Sequence, residues 1–315
     1  GVMRPLLSEL SAAFDAGSLP PLPLSRYALN DAGRAFRYMA QARHIGKVVL
    51  INREDAALSV APFRAYLITG GLGGLGLLMA GWLIERGARH VVLLGRMAPK
   101  TVARHEIEAL QRMGAAITVI LGDVADPQQI DHLVARFGRD LPPLSGIIHA
   151  AGLLDDGVIQ QQTWPRFRAV LAPKVRGAWN LHRATRDLGL DFFVMFSSTA
   201  SLLGSPGQSN HAAANAYLDA LAHQRRAHGQ AALSINWGPW GKIGAAAERN
   251  IGERIAQRWQ GLGTIKPQQG LRCWELGIST DQAQLGVIPV DWKTFIPSFF
   301  AVSVPPFLAD LATAT

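Results

Sequence analysis

Seven short apolar runs separated by helical stretches dominate the chain from Ala65 onward: "AYLITG", "HVVLLGR", "ITVILGD", "GIIHAAG", "FFVMFSS", "ALSINWG" and, last, "LGVIPV". Strands that are apolar along their whole length must be covered on both faces, and helices between them supply the cover. The pattern predicts an α/β fold with a doubly wound parallel sheet.

The piece ahead of this array is of another kind. Gly1 to Arg53 reads helix, strand, helix, strand. "RPLLSELSAAFDAG" has helical spacing and stops at Gly17, and "PLPLSRYAL" is extended. "NDAGRAFRYMAQARH" is amphipathic with Asn30 as its candidate cap, and "GKVVLI" is a buried strand. These elements are too few for a complete fold and read as the end of something larger. A polar, proline-terminated joint, "NREDAALSVAPF", follows. The expected organisation is therefore 1–53 as an N-terminal piece, 54–64 as linker, 65–297 as the α/β domain and 298–315 as a C-terminal linker.

Composition excludes several classes. Cys273 is the single cysteine, so the chain builds no disulfide framework or zinc cluster. No apolar run is long enough for a membrane span, and no leader sequence is legible at the N-terminus. A reducing cytoplasm is the expected compartment. The net charge of +8 is scattered, and its densest group, "HQRR" from His223 to Arg226, lacks interleaved aromatics. That argues for a solvated helix end and against nucleic acid. Excess positive charge also suits a phosphorylated cofactor or an acidic carrier protein.

"ITGGLGGLG", Ile68 to Gly76, lies between the first strand of the array and a helix. Gly71, Gly73 and Gly76 fit G-x-G-x-x-G, while Thr69, Gly70, Gly74 and Gly76 fit T-G-x-x-x-G-x-G, with Leu72 and Leu75 between them. A tight turn and close approach to a pyrophosphate at a helix N-terminus demand such glycines, and the strand–helix context marks a dinucleotide site. The next strand ends in Arg96, where a binder of the unphosphorylated cofactor carries an acid. Its fork matches a 2′-phosphate, which favours NADPH; the alternative is a surface arginine ending a strand. In "GDV", Asp123 is a candidate partner for adenine beside Val124. In "HAAG", the small Ala150, Ala151 and Gly152 let the nicotinamide half pass, and His149 reads as structural.

With these residues the chain from about Ala65 to Phe295 resembles the ketoreductase domain of a modular polyketide synthase, a member of the short-chain dehydrogenase/reductase superfamily. "TGGLGGLG", "HAAGLLDDG", "PKVRGAWNLH", "MFSSTASLLGSPGQSNHAAANAYLDALA" and "SINWGPW" carry the resemblance. Gly1 to about Arg53 resembles the closing segment of an enoylreductase of the medium-chain dehydrogenase type, mainly through "FRYMAQARHIGKVVL". It includes none of that domain's nucleotide loop, so no enoyl reduction is expected from it.

The resemblance implies reduction of a carrier-bound 3-ketoacyl thioester with NADPH. The family's spacing of lysine, serine, tyrosine and asparagine falls on Lys174, Ser198, His211 and Asn215. Ser198 would bind the substrate oxygen, Lys174 would act through its charge, and Asn215 would hold a relay water or orient its neighbours. His211 replaces the tyrosine. A neutral imidazole cannot lose its last N–H as a phenol can, so it must act as imidazolium. At an ordinary pKa roughly a quarter of such rings is protonated at pH 7. Tyr217, six residues on, would point elsewhere on a helix.

Leu154, Asp155 and Asp156 match the family's B-type signature, with Pro206 and Asn210 as accompanying markers; the A-type tryptophan position holds Leu203. This implies a D-configured 3-hydroxyl, with the Asp156 loop guiding the carrier's arm. The plain alternative for the two aspartates is a turn and a helix cap. "KIGAAAERNIGERIAQRWQGLG" is expected to form a lid in which Trp240 and Trp259 pack, either there or in the core. Implied partners are an acyl carrier protein and neighbouring synthase domains, enoylreductase and dehydratase. The rival reading is a catalytically impaired structural module that keeps the fold and NADPH.

Overall fold

The computed structural model describes residues 13, 24–28, 32–42, 45–51, 60–244, 259–300 and 304–313. Two units are distinguished, Gly1–Ala57 and Leu58–Thr315. In the first, β1 (Leu24–Ala28), α1 (Ala32–Ala40) and β2 (Lys47–Ile51) follow one another. The strands pair in parallel from Leu24↔Lys47 to Ala28↔Ile51, so α1 is a crossover that lays Ala35 against the pair. The expected first helix and the Asn30 cap lie outside the described residues, apart from Ala13.

Every apolar run of the second unit is a strand. They are β3 (Ala65–Thr69), β4 (His90–Gly95), β5 (Ala116–Leu121), β6 (Leu144–His149), β7 (Phe192–Ser198), β8 (Leu233–Trp237) and β9 (Gln284–Val287). All pair in parallel in the order β5-β4-β3-β6-β7-β8-β9. Among the described residues its helices include α2 (Gly74–Glu85), α3 (Thr101–Arg112), α4 (Pro127–Val134), α5 (Trp164–Leu171), α6 (Gly177–Thr185), α7 (Ala200–Leu203), α8 (Ser209–Ala227), α9 (Pro267–Ile278) and α10 (Trp292–Phe299). A five-residue π turn, Ala172–Arg176, joins α5 to α6.

Why the strands are apolar throughout is visible in the two cores. Tyr66, Ile68, Leu93, Val194 and Phe196 feed one buried cluster, whereas Leu67, Val92, Phe193 and Met195 feed the other. Alternate side chains point to opposite faces, and both faces are dry. Trp274 of α9 is fully buried in the first cluster, with ring centroids 5.7 Å from Trp82, 6.5 Å from Phe192 and 6.0 Å from Phe196.

The strand order reverses between β3 and β6, so chain leaves their carboxyl ends in opposite directions and a crevice opens there. Thr69, His149 and Ser198 stand at strand ends along that edge.

Two expectations change with the structure. In the "HQRR" group at the end of α8, His223 and Gln224 are solvated as expected, but the two arginines are not. Arg225 is 1% exposed, lies 4.0 Å over the Phe193 ring, and donates from Nε to Ala231 O at 3.1 Å. Arg226 donates to Ala232 O at 2.7 Å and pairs with Asp281. These guanidinium groups hold the turn after α8, a use that composition alone could not reveal. Among the described residues beyond 297, α10 runs to Phe299, and a 3-10 turn, Pro306–Leu308, with Leu308 buried, leads into α11 (Ala309–Thr313).

Truncating Trp274 to alanine removes the side chain on which three rings of the first core converge. The expected loss is about 3–5 kcal/mol of unfolding free energy, read as a lower urea midpoint at unchanged slope.

Candidate active site

The glycine loop is built by backbone packed on backbone. Gly70 has φ +68°, and a Cβ there would lie 2.8 Å from Ala151 N and 2.9 Å from Ala150 O. A Cβ on Gly76 would lie 2.5 Å from Gly70 O. Both positions exclude any side chain, and together they draw α2 against β3 and β6. Gly71 is similarly closed by Ile68 O, and the Leu72 side chain lies over Gly95. Gly74 differs: a Cβ there would touch Gly244 N at 3.4 Å and Ile243 Cβ at 3.6 Å, so the 243–244 segment packs over the first turn of α2 without closing the position to a side chain. Gly73 caps α2 without a side-chain bond, so the helix N-terminus, Gly74 to Gly76, offers backbone N–H groups to an anion.

Arg96 follows β4, is exposed, and has no ion pair among the described residues. Asp123 accepts from Ala125 N–H at 2.9 Å through one carboxylate oxygen. Val124 is buried, and its carbonyl accepts from Asn180 Nδ2 at 3.0 Å. Ala150 N–H donates to Thr69 O at 3.0 Å, closing β3 onto the start of "AAG". His149 is fully buried, with Nδ1 2.6 Å from Thr69 Oγ1. Burial, and then the charge of Lys174, push its pKa down to about 3. The uncapped N-terminus of α2 and the glycine cradle fit a dinucleotide, and exposed Arg96 stands at the end of the neighbouring strand.

Lys174 sits in the π turn at 6% exposure and donates to Phe196 O at 2.7 Å. A Cβ on Gly152 would come within 3.2 Å of its Cε, so the end of "AAG" and the lysine tip are neighbours. Burial lowers the ammonium to about 8, against an opposing pull from Asp219. Ser198 ends β7, and its Oγ accepts from Ala200 N–H at 3.2 Å, leaving the hydroxyl proton free to be donated. Asn215 is fully buried; Nδ2 donates to His211 O at 2.8 Å, while Oδ1 has no protein partner.

His211 stands in the first turn of α8, its N–H donating to Asn210 Oδ1 at 2.7 Å. Its ring Nδ1 is buried without a partner. Burial and then Lys174 hold the ring at a pKa of about 3. The expectation of a quarter protonated at pH 7 is therefore corrected to on the order of one ring in 10⁴. Local spacing identifies the residue but carries no information on its desolvation. Tyr217 packs against the second core cluster, away from the pocket, as the helical spacing requires.

A pocket of about 110 Å³ unites Ser198 and His211 with Ser205 and Gln208. Its opposite wall is apolar, formed by Leu154, Leu203, Trp259, Leu262, Ile288 and Phe299. Trp259 therefore belongs to the pocket, whereas Trp240 is core, 5.0 Å from Trp237. Most of the expected lid, 245–258, lies outside the described residues.

Neither aspartate of the entrance loop caps a helix. Asp155 pairs with Arg166 at 2.5 Å, and its carbonyl accepts from Asn210 Nδ2 at 2.8 Å. Asp156 accepts from Gln208 Nε2 at 3.2 Å, and Gly157 N–H donates to Gly207 O at 2.8 Å. The loop is thus stitched to the segment that carries exposed Pro206 and opens α8. Sequence reasoning missed Arg166, which no spacing linked to the loop, and the apolar wall from α10, which lies far along the chain.

Fold and site together define a nucleotide-dependent reductase of the short-chain dehydrogenase type. Residues 64–242 match the family described as KR domain, and the chain belongs to it, the ketoreductase domains of polyketide synthases. Residues 2–50 match the zinc-binding dehydrogenase family, which fits the closing piece of a preceding enoylreductase. Among curated relatives, mycoketide-CoA synthase of Mycobacterium tuberculosis is 39% identical over 99% of this chain and 7% of its own length. The mycocerosic acid synthase-like polyketide synthase of the same organism is 38% identical over 94% of this chain and 14% of that protein. The chain thus spans a small part of these relatives. Among solved structures, an A-type ketoreductase of a modular polyketide synthase is 35% identical, with TM-score 0.76, covering 82% of this chain and 55% of that one. The first ketoreductase of the tylosin synthase is 36% identical, with TM-score 0.70, over 78% and 53%.

Both His149 and His211 have folded pKa values depressed from 6.5 to about 3, so the unfolded chain binds more protons between those values. Stability is therefore full above pH 6.5 and falls as pH drops toward 3. Urea unfolding from pH 7 to about 4 checks this, with a shallower acid loss expected for His211→Phe.

Proposed function

We propose that this domain reduces the 3-keto group of a polyketide or fatty acyl thioester, bound to an acyl carrier protein, to a 3-hydroxyl with NADPH. One observation carries the reading: Ser198 and His211 face a common pocket, and Lys174 lies beside both that histidine and the "AAG" end of the glycine cradle. When bound along the cradle, NADPH supplies the hydride that reaches the ketone carbon. Ser198 donates its hydroxyl proton toward the ketone oxygen and stabilises the charge growing there. Lys174 adds fixed positive charge. His211 delivers the proton, so that one hydride and one proton together convert ketone to alcohol. Asn215 Oδ1 is suited to accept from a relay water between these groups.

The imidazole limits the rate. Its protonated form is scarce in the empty pocket, but negative charge developing on the substrate oxygen favours it. Catalysis should therefore be slow near neutrality and quicken with acid. The same scarcity favours a second reading, a catalytically impaired module that retains fold and cofactor.

Arg96 is read as the 2′-phosphate partner. The stitched Leu154–Asp156 loop, with Leu203 where the A-type tryptophan would stand, supports B-type reduction to the D-configured alcohol. Chiral analysis of the product tests that, an L product overturning it. Enoylreductase, dehydratase and carrier domains are the proposed neighbours.

NADPH oxidation with a 3-ketoacyl thioester separates the readings. Wild type is expected to turn over, with a rate that climbs continuously from pH 8.5 to 6 because His211 titrates well below that range. His211→Phe should abolish reduction while NADPH binding survives; an unchanged rate would dispose of the assignment. His211→Tyr should raise turnover at pH 8, since a phenol beside Lys174 needs no prior protonation. Arg96→Ala should weaken NADPH by about 10- to 100-fold and leave NADH unaffected, measured by fluorescence titration.

A further inference from the structure

Beneath the end of β7 lies a second polar cluster that the reaction above does not employ. Asp219, on α8 beyond His211, is 7% exposed. One carboxylate oxygen accepts from Ser201 Oγ at 2.7 Å and Asn236 Nδ2 at 2.9 Å, the other from Ser234 Oγ at 2.6 Å. Two of these partners also hold the serine of the pocket. Ser201 Oγ, with a single proton to share between Asp219 and this carbonyl, lies 2.8 Å from Ser198 O, and Asn236 Nδ2, which has a second N–H to offer, lies 3.3 Å from it. The Asn236 amide cannot turn over without loss, because its Oδ1 accepts from Gln284 Nε2 at 3.0 Å.

A buried carboxylate is costly and is retained only where several donors meet it. Here those donors come from α7 and β8, and two of them converge on the carbonyl next to the Ser198 side chain. Asp219 is also the carboxylate that counteracts burial at Lys174.

Resting on the ketone-reduction reading, we propose that Asp219 is a positioning residue: through Ser201 and Asn236 its carboxylate fixes the backbone of Ser198, and thereby the direction of that hydroxyl into the pocket. It touches no reacting atom and acts through its neighbours.

The test uses the 315-residue chain with Ser201→Ala, Asp219→Asn and the double variant. NADPH affinity, kcat and KM for a 3-ketoacyl thioester are read beside thermal unfolding. Expected is a loss in kcat of up to about 10²-fold in each single variant, with KM and NADPH affinity nearly unchanged. The double variant should fall no further than the worse single one, because both act along one route. Wild-type kcat in folded variants, or losses that multiply in the double variant, overturns the proposal. Should Asp219→Asn fail to fold, kcat of Ser201→Ala decides. If wild type itself shows no turnover, the ketone-reduction reading fails, and crystal structures decide this one separately. A shift of Ser198 Oγ beyond about 0.5 Å in Asp219→Asn supports it, and an unmoved hydroxyl overturns it.

Discussion

Lys174 carries its ammonium into a nearly dry region, where a backbone carbonyl, Phe196 O, accepts one of its hydrogen bonds and two imidazoles feel the charge. Placing a cation there makes a second one expensive, because little solvent is left to separate them. Burial first, and then this charge, keep His149 and His211 neutral over the physiological range. For His149 this suits a structural bond to Thr69. For His211, in the role proposed above, it sets the terms on which a proton could be delivered, since burial and the nearby ammonium both oppose its protonated form.

That arrangement depends on how the sheet is closed. β3 and β6 come together where the strand order reverses, and side chains are absent at Gly70 and Gly76 because other backbone fills their place. The same edge carries Ser198 at the end of β7 and, through Gly152, the tip of Lys174. Cradle and pocket are thus held by one rigid surface, the sheet edge, while the entrance loop is fastened separately by Arg166 and Asn210.

The strands were legible because each is apolar from end to end, a pattern that only a sheet covered on both faces explains. The glycine loop was legible because its spacing lies between a strand and a helix. Arg225 was not legible: nothing in "HQRR" distinguishes a guanidinium in water from one over a phenyl ring, since that depends on Phe193, in another strand. Arg166, Phe299 and the Asp219 network were hidden for the same reason, their partners being distant in sequence.

By itself, then, the sequence determined the alternation of strands and helices and the glycine loop between the first strand and its helix, and it singled out Lys174, Ser198, His211 and Asn215 as candidates, because each pattern is encoded in local spacing. Tertiary structure decided the protonation of His211, the inward fold of Arg225 and the wall opposite Ser198. Those properties follow from burial and from charges brought close by folding, and neither is a function of neighbours along the chain.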